Sequence, residues 1–377
     1  MKYAIPFNRP YCSPGTQENF LQVLSSDQIA GNGHFGRGCA EVLQAVTGSQ
    51  RAYLTPSCTA ALEMSALLLD LQPGDEVIVP SFTFVSTACA YAIFGVRPIF
   101  VDVTPETLNI DPTLVEAAIT ERTKAIVAVH YAGVACDLDA LLDICNRRGL
   151  RLVEDNAHGL FGTCQRRPLG SFGSLATLSF HETKNISCGE GGALLVNDGD
   201  LLERADMAQE KGTNRSRFFR GMIDRYTWVD RGSSYLLGEF PAAALRANLD
   251  NREHIQRHRS EIWQRYHTEL EGWAATVGIR RPVIADACSH PSHLYYLLLP
   301  DSCQRQAFIA FLKSYRINAV FHYQPLHLSP MGKKLGGRDG QCPVTERIAD
   351  QLVRLPLYTN LSRQEQDQVI EAVLKWS

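Results

Sequence analysis

The sequence has no long apolar run. None of its apolar stretches reaches the roughly 18 residues that a membrane-spanning helix requires. The N-terminal segment MKYAIPFN also lacks the apolar core of a signal peptide. We therefore expect a cytoplasmic protein with no membrane partner.

An excess of charge of either sign is also missing. The 377 residues include 37 Lys and Arg and 40 Asp and Glu, which gives a formal net charge of −3. No long block of basic residues is present, so the charge pattern argues against nucleic acid as a partner. It leaves open an anionic small molecule, because backbone amides and a few local cations are enough to hold one.

Closely spaced cysteines are absent as well. The 11 cysteines form no C-x-x-C pair, and the two nearest in sequence are Cys136 and Cys145. A disulfide framework or a zinc site would show tighter spacing. We predict free thiols in a reducing compartment and no metal site.

Short apolar runs alternate with helix-length patterns through the first two-thirds of the chain. Each run is bounded by Gly, Pro or Asp, as is typical of buried strands. The predicted strands cover residues 76–80, 98–103, 125–130, 151–155, 176–180 and 192–196, and the predicted helices cover 59–71, 86–94, 112–119 and 138–148. This alternation predicts an α/β fold with a mostly parallel sheet covered by helices on both faces.

The pattern changes after about Tyr235. A long amphipathic stretch is followed by a strand, a helix, a second strand and a terminal helix, which indicates a smaller α+β domain hinged on the long helix. These elements cover residues 242–271, 295–299, 305–315, 319–321 and 364–376. We predict a large domain over 1–237 and a small domain over 238–377.

Polar residues at strand ends are the first candidates for function, because ligands of doubly wound sheets bind at the carboxyl ends of the strands. Asp155 ends one predicted strand, and His158 follows it by three residues. Considered one at a time, Asp155 can be explained as a helix cap and His158 as a structural histidine.

Lys184 lies between an apolar strand and a Gly-rich turn. A lysine desolvated there has a lowered pKa and can form a Schiff base with an aldehyde.

The segment TPSCTAA at 55–61 directly precedes a predicted helix. Its small residues let successive N–H groups converge at the helix N-terminus, which suits a phosphate, although a plain Ser or Thr cap also explains it. Together with Asp155 and Lys184 it supplies what pyridoxal 5'-phosphate (PLP) requires. The phosphate of PLP needs backbone amides, its pyridine nitrogen needs a carboxylate, and its aldehyde needs a lysine. The sequence therefore predicts PLP as the cofactor.

Four segments carry a resemblance to a known family: PSFTFVST at 80–87, FVDV at 100–103, EDNAHG at 154–159 and SFHETKN at 179–185. Over essentially its whole length the sequence resembles the DegT–StrS group of sugar-nucleotide aminotransferases. The resemblance implies the fold type I architecture of PLP-dependent transferases, with a seven-stranded, mostly parallel mixed sheet in the large PLP-binding domain and a smaller α+β C-terminal domain. It also implies a homodimer with the active site at the subunit interface.

Further segments are similar to the WecE type within that group: LTPSCTA at 54–60, VHYAGVAC at 129–136, KGTNRS at 211–216 and FHYQPLH at 321–327. That type converts dTDP-4-keto-6-deoxyglucose and glutamate to dTDP-4-amino-4,6-dideoxygalactose and 2-oxoglutarate. Its product enters bacterial surface polysaccharide, such as the O-antigen of lipopolysaccharide and enterobacterial common antigen. The similarity implies the same nucleotide-sugar substrate and amino donor here.

The resemblance also implies roles for single residues at the cofactor. Lys184 matches the lysine that binds the cofactor and shuttles a proton, and Asp155 matches the partner of the pyridine nitrogen. His158 occupies the position beside the cofactor ring, and Phe84 matches the aromatic that stacks on it. The phosphate contacts are implied for the amides of Cys58 and Thr59 and the hydroxyl of Ser179.

Substrate contacts are implied for two further segments. One segment supplies His322, Tyr323 and His327, for which a structural role is an equal alternative. The other supplies Lys211, Asn214 and Arg215 as pyrophosphate contacts, and a solvated basic loop explains these nearly as well.

The sequence departs from the group's pattern in two places. Many members carry an Asn-x-Arg segment that reaches the cofactor phosphate of the neighbouring subunit. Here residues 233–237 read SSYLL, so that contact passes to Ser234 or is lost, as it is in the WecE type. Pro241 replaces the Gln or Asn that usually precedes the Ala pair.

Three other functions remain open. One is the same amination with the opposite stereochemistry, which gives the gluco epimer dTDP-4-amino-4,6-dideoxyglucose. A PLP-dependent sugar 3-dehydratase is a second, but that class has His where this chain has Lys184. A non-catalytic PLP-binding regulator is the third, and it usually brings a DNA-binding segment that is not visible in this sequence.

Overall fold

Seven strands form the central sheet of the protein, whose computed structural model describes residues 3–377. Along the sheet their order is β1-β9-β8-β5-β4-β2-β3, and β9 alone runs opposite to the others. The expected seven-stranded, mostly parallel mixed sheet is thus confirmed. The strands of the protein are β1 (Arg51–Thr55), β2 (Glu76–Pro80), β3 (Arg97–Val101), β4 (Thr123–Val129), β5 (Arg151–Asp155), β6 (Thr163–Cys164), β7 (Arg167–Pro168), β8 (Leu175–Ser179), β9 (Gly192–Val196), β10 (Cys288–Ser289), β11 (Tyr295–Leu298), β12 (Val320–Phe321) and β13 (Leu352–Leu355).

Helices cover both faces of this sheet, because alternate strand residues point to opposite sides. Val77 and Val79 pack on one face with α3 and α4, whereas Ile78 packs on the other with α5 and α6. All of these strand residues are fully buried. The helices are α1 (Thr16–Leu24), α2 (His34–Thr47), α3 (Cys58–Leu68), α4 (Ser86–Ala92), α5 (Pro112–Ala118), α6 (Leu138–Arg148), α7 (Leu202–Gln209), α8 (Arg215–Phe219), α9 (Glu239–Asp250), α10 (Arg252–Glu269), α11 (Glu271–Val277), α12 (Ser302–Ser314), α13 (Pro330–Lys334), α14 (Pro343–Gln351) and α15 (Arg363–Leu374).

The long helix predicted over 242–271 is divided in the structure. Asn251 ends α9 and caps α10, and Leu270 separates α10 from α11. The helix α9 packs against α1 and α2 and shares their apolar core with the large sheet. We keep the proposal of two domains divided near residue 237, with the first helix after the division docked on the large domain.

The C-terminal part has an apolar core of its own. The antiparallel sheet β11-β13-β12 packs with α10, α12 and α15 around buried aromatic and aliphatic side chains such as Tyr266, Leu297 and Phe308. Within residues 3–377, no helix is both long and apolar enough to cross a bilayer.

The strand directions bring distant residues to one edge of the large sheet. The strands β4, β5 and β8 run parallel, so Asp155 at the end of β5 and Ser179 at the end of β8 lie at the same edge. The helix α3 begins just after β1 at that edge, beside the start of β9. The small sheet closes over the edge through the segment that follows β12.

Candidate functional site

A cavity of about 750 Å³ lies between the carboxyl edge of the large sheet and the small sheet. It gathers most of the side chains that the sequence singles out, although they come from segments far apart in the chain. Those that line it are Cys58, Thr59, Phe84, Asp155, His158, Ser179, Lys184, His322 and Tyr323.

Asp155 is the buried carboxylate of this cavity, with 5% of its surface exposed. One of its oxygens accepts a hydrogen bond from the Thr87 hydroxyl at 2.7 Å, and the other accepts from the amide of Ala157 at 3.3 Å. Burial raises the pKa of Asp155, while both hydrogen bonds and the nearby cation of Lys184 oppose the rise. A carboxylate held in this way is ready to pair with a cationic group of a ligand.

Lys184 lies in the turn between β8 and β9, where its amide donates to the carbonyl of His181 at 2.9 Å. Burial lowers the pKa of its amine to about 8, and the positive charge of Arg354 contributes to the lowering. The charge of Asp155 opposes both effects. Near neutral pH, the uncharged and nucleophilic fraction of this amine is much larger than that of an ordinary lysine, whose pKa is about 10.4.

The N-terminus of α3 forms one wall of the cavity. The Ser57 hydroxyl caps this helix by accepting from the amide of Ala60 at 3.1 Å. The amides of Cys58 and Thr59 have no acceptor within the helix and lie at the cavity. A Cβ atom at Gly192 would sit 2.4 Å from the Cys58 nitrogen, so only glycine allows β9 to approach this turn so closely. The free amides at this helix end suit an anion.

His158 is a buried imidazole without a hydrogen bond at its Nδ1. Its ring stacks on His293 with centroids 4.3 Å apart. Burial lowers its pKa well below the ordinary histidine value, and the cation of Lys184 lowers it further. His158 is therefore a neutral flat ring with one free nitrogen beside the cavity, which suits contact with a flat ligand.

A group of aromatic side chains also lines the cavity. The exposed ring of Phe84 lies 6.3 Å from that of Tyr323, centroid to centroid. Behind them, the Tyr131 hydroxyl and His322 Nδ1 share a hydrogen bond of 3.0 Å. This part of the lining is thus apolar with two polar edges, those of Tyr323 and His322.

His327 has a different place from the one implied for it. It is fully buried, is absent from the cavity lining, and uses both ring nitrogens on protein partners. Its Nδ1 pairs with the Ser81 hydroxyl at 2.6 Å and its Nε2 with Glu346 at 3.0 Å. This geometry favours the structural alternative, in which His327 fastens the segment after β12 to the end of β2.

The segment around 211–234 also lies outside the cavity of its own chain. The guanidinium of Arg215 pairs with Glu210 at 3.3 Å and covers the ring of Phe219 at 4.9 Å. Asn214 accepts from the amide of Thr227. The amide of Lys211 donates to the carbonyl of Ser233 at 2.9 Å, and Ser234 pairs with Glu210 in an isolated antiparallel β-bridge.

Several cavity residues were not predicted from the sequence. The first is Thr87, which binds Asp155; the second is His293, which stacks on His158; and the third is Arg354 on β13. Thr87 lies within the motif 80–87, but the motif alone predicts no role for its hydroxyl. No sequence signal marks His293, since it precedes β11 in an irregular segment. Other unpredicted lining residues are Phe7, Asn8, Thr83, Ser86, His181 and Gln324.

Comparison with known proteins agrees with this arrangement. Residues 12–374 match the family described as the DegT/DnrJ/EryC1/StrS aminotransferase family. The spore coat polysaccharide biosynthesis protein SpsC of Bacillus subtilis is 35% identical, with 98% of this chain and 96% of SpsC covered.

Two solved structures are similar in fold over the full length. DesV of S. venezuelae has a TM-score of 0.89 and 31% identity, with 100% of this chain and 99% of DesV covered. Spr1654 of Streptococcus pneumoniae, in its PLP form, has a TM-score of 0.91 and 27% identity, with 99% of this chain and 98% of Spr1654 covered. Spr1654 also has a solved PMP form.

Proposed function

The chain belongs to the DegT/DnrJ/EryC1/StrS aminotransferase family, and we propose that it transfers the amino group of glutamate to carbon 4 of dTDP-4-keto-6-deoxyglucose. It is a PLP-dependent sugar aminotransferase. The meeting of Lys184, Asp155 and the amide end of α3 in one cavity carries the proposal. These three groups come from separate segments and match the three demands of the cofactor.

The residues present fit PLP. The first-turn amides of α3, with the Ser179 hydroxyl nearby, offer donors for a phosphate. The unpartnered Nδ1 of His158 and the ring of Phe84 flank the space in which a flat ring would lie. When bound, PLP supplies an aldehyde that takes up amino groups and a ring that withdraws electrons from the carbon attached to that nitrogen.

The role proposed for Lys184 follows from its lowered pKa. As the uncharged amine, its Nζ is the group that would hold the aldehyde carbon of PLP, with loss of water, and that would carry a proton to or from the substrate carbon. The carboxylate of Asp155 would pair with the pyridine nitrogen and favour its protonated form. The Thr87 hydroxyl keeps that carboxylate oriented and charged. His158 excludes water from one side of the ring.

The sugar substrate is proposed from the resemblance to the WecE type. Tyr323 and His322 line the same cavity as Lys184 and would supply polar groups to a sugar. SpsC carries the name of a polysaccharide biosynthesis protein, which supports a product used in a bacterial surface polysaccharide. The expected product is dTDP-4-amino-4,6-dideoxygalactose, with 2-oxoglutarate as the second product.

We propose a homodimer with the active site at the subunit interface. Large apolar side chains are exposed on the segment 218–229, among them Phe219, Met222 and Trp228, at 67%, 63% and 76%. Exposed apolar area of this kind indicates a surface that a partner covers. In a dimer, Lys211, Arg215 and Ser234, which flank this segment in the chain, would reach the second subunit.

The gluco epimer is the remaining alternative for the product, because the face of the sugar that meets Lys184 decides the configuration at carbon 4. The retained Lys184 favours an aminotransferase over the 3-dehydratase, which has His at this position. The non-catalytic regulator is less favoured because the sequence shows no DNA-binding segment.

The test is an incubation of the purified protein with PLP, glutamate and dTDP-4-keto-6-deoxyglucose. Mass spectrometry detects the amino sugar, and proton couplings at carbon 4 assign its configuration. Small couplings of the carbon 4 hydrogen to both neighbours support the galacto product, and large ones indicate the gluco epimer. Absence of any amino sugar, with a UDP-linked substrate also inactive, would overturn the substrate proposal.

A further inference from the structure

Arg354 is a cation on the cavity wall whose hydrogen-bonding capacity is mostly unused. It lies on β13, in the middle of the small sheet, and one of its N–H groups donates to the carbonyl of Phe321 at 3.1 Å. The guanidinium covers the ring of Phe7 at 4.5 Å. No hydrogen bond joins its Nε or Nη1 to any residue of 3–377, and its Nε is buried. A guanidinium has five N–H donors, so most of these remain for a ligand.

No protein carboxylate neutralises this charge. Among the described residues, none of the ion pairs involves Arg354. The titratable groups that interact electrostatically with it are Lys184, which is a second cation, the imidazoles of His158, His293 and His322, and the hydroxyls of Tyr131 and Tyr323. A cation removed from water without an anion is costly. Its presence indicates that the anion arrives with a ligand.

A second arginine shows what a purely structural role looks like in this chain. Arg259 is almost fully buried, and its donors go to the carbonyls of Ser292, His293 and Leu357. It does not line the cavity. Arg354 differs because the one hydrogen bond of its guanidinium to residues 3–377 goes to the carbonyl of Phe321, and because it lines the same cavity as Lys184.

We propose that Arg354 binds the carboxylate adjacent to the amino group of the amino-acid donor, and the equivalent carboxylate of the oxo-acid product. This inference rests on the proposed function, since both substrates must use the same site in turn. An α-carboxylate is one bond away from the carbon that reacts beside Lys184. Both residues line one cavity, so a carboxylate there reaches the guanidinium while its amine reaches the reacting centre.

The other anion of the reaction fits this position less well. In the nucleotide sugar, the diphosphate is attached to carbon 1, and the pyranose ring separates it from carbon 4. With carbon 4 beside Lys184, the diphosphate lies a ring's width away, toward the mouth of the cavity. A planar guanidinium also matches a carboxylate in a two-bond arrangement. We therefore assign Arg354 to the donor and not to the nucleotide.

The experiment separates the two half-reactions. Enzyme loaded with PLP is mixed with glutamate alone, and the loss of its visible absorbance band is followed at several glutamate concentrations. For Arg354→Gln we expect the glutamate concentration at half-maximal rate to rise about 10- to 100-fold, because the substitution removes one charge-assisted hydrogen-bonded pair. The maximal rate should change far less. Arg354→Lys should recover part of the affinity, and Arg338→Gln, an exposed arginine outside the cavity, should match the wild type.

Binding without turnover gives a second readout. Calorimetry with 2-oxoglutarate on the PMP form should show the same weakening in Arg354→Gln, while the affinity for dTDP stays within about threefold of the wild type. If dTDP binding weakens and 2-oxoglutarate binding does not, Arg354 serves the diphosphate and the proposal is wrong. Equal affinities for all ligands in variant and wild type overturn it as well.

A variant that fails to fold does not end the test. On the wild type, 4-aminobutyrate lacks the carboxylate beside the amine but keeps the distal one, and it should react about 10-fold less efficiently than glutamate or worse. Equal efficiency of the two amines contradicts the proposal. Since no sugar is present in these measurements, their failure is distinguishable from a failure of the sugar assignment.

Discussion

The imidazole rings of His158 and His293 stack with centroids 4.3 Å apart and planes inclined by 30°. The Nδ1 of His293 donates to the Asn185 side-chain oxygen at 2.9 Å, because the Asn185 amide nitrogen donates elsewhere, to Pro291 and Gln256. Asn185 is also the neighbour of Lys184. One hydrogen-bonded unit therefore positions the flat ring of His158 and the turn that carries the lysine.

His293→Ala should weaken cofactor binding. Loss of the stacked ring lets His158 move, and an aromatic pair of this kind contributes enough to predict about a five- to tenfold higher dissociation constant for PLP. His293→Phe keeps the stack and should stay within about threefold of the wild type. Titration of the visible absorbance band measures both. Equal weakening in the two variants would show that the stack has no such role.

Thr87→Val should lower activity by removing a hydrogen bond to a buried carboxylate. A hydrogen bond to a charged group predicts a loss of about 10- to 100-fold in kcat/KM. The Thr87 hydroxyl opposes the rise that burial causes in the pKa of Asp155. Removing it raises this pKa further, so the charged form is lost at a higher pH and the acid limb of the pH profile moves upward.

Thr87→Ser retains the hydroxyl and serves as the matched control. Its acid limb should coincide with that of the wild type, and its kcat/KM should remain within a few-fold. An unshifted acid limb in Thr87→Val would mean that the hydrogen bond does not tune Asp155.

The lowered pKa of Lys184 predicts a pH dependence of cofactor uptake. Only the uncharged amine attacks an aldehyde, and burial lowers the pKa of this amine to about 8. When PLP is added to the cofactor-free protein, the rate at which the visible band forms should rise with pH and level off above about pH 8. A rate that keeps rising toward the ordinary lysine pKa near 10.4 would contradict the burial of this amine.

Glu154 should be important for stability and not for chemistry. Its carboxylate accepts from the amides of Gly170, Phe172 and Gly173 at 2.7–2.8 Å and from His130 Nε2 at 3.0 Å, and it is fully buried. Glu154→Gln turns an N–H group toward these donors. We expect a loss of about 3–5 kcal/mol in the free energy of unfolding, measured by urea denaturation.

The control for this prediction is Glu116→Gln. Glu116 pairs with Arg147 and Arg148 on the surface, where solvent screens the charges, so this substitution should cost far less stability than Glu154→Gln. If both substitutions cost the same, the buried network around Glu154 does not hold the loop after β7.

Much of the large sheet could be predicted from the sequence because its strands are short, apolar and fully buried. The boundaries of β2, β5 and β9 coincide with the predicted runs. Edge strand β1 was not predicted from the sequence, and its last residue, Thr55, also begins the segment 55–61 that was interpreted as a phosphate site. The break at Asn251 was missed because the apolar spacing continues through it, although Asp250 and Asn251 are residues that favour helix ends.

The predicted part of the site consists of residues at strand ends. Lys184 and Asp155 could be placed together because parallel strands share one carboxyl edge. Arg354 and His293 could not, because only the packing of the small sheet on the large one brings them to the cavity. The run that contains Arg354 is interrupted by the arginine itself, so β13 has no apolar signal as strong as those of the large sheet.

The role of Lys184 is tested most directly by borohydride reduction of the PLP-loaded protein, followed by mass spectrometry of its peptides. The wild type should carry the reduced cofactor on Lys184 and show the visible absorbance band. Lys184→Ala should lose both, whereas Lys313→Ala, an exposed lysine on α12, should keep both. A band that persists in Lys184→Ala, with the label on another lysine, would contradict the assignment of this cavity as the catalytic centre.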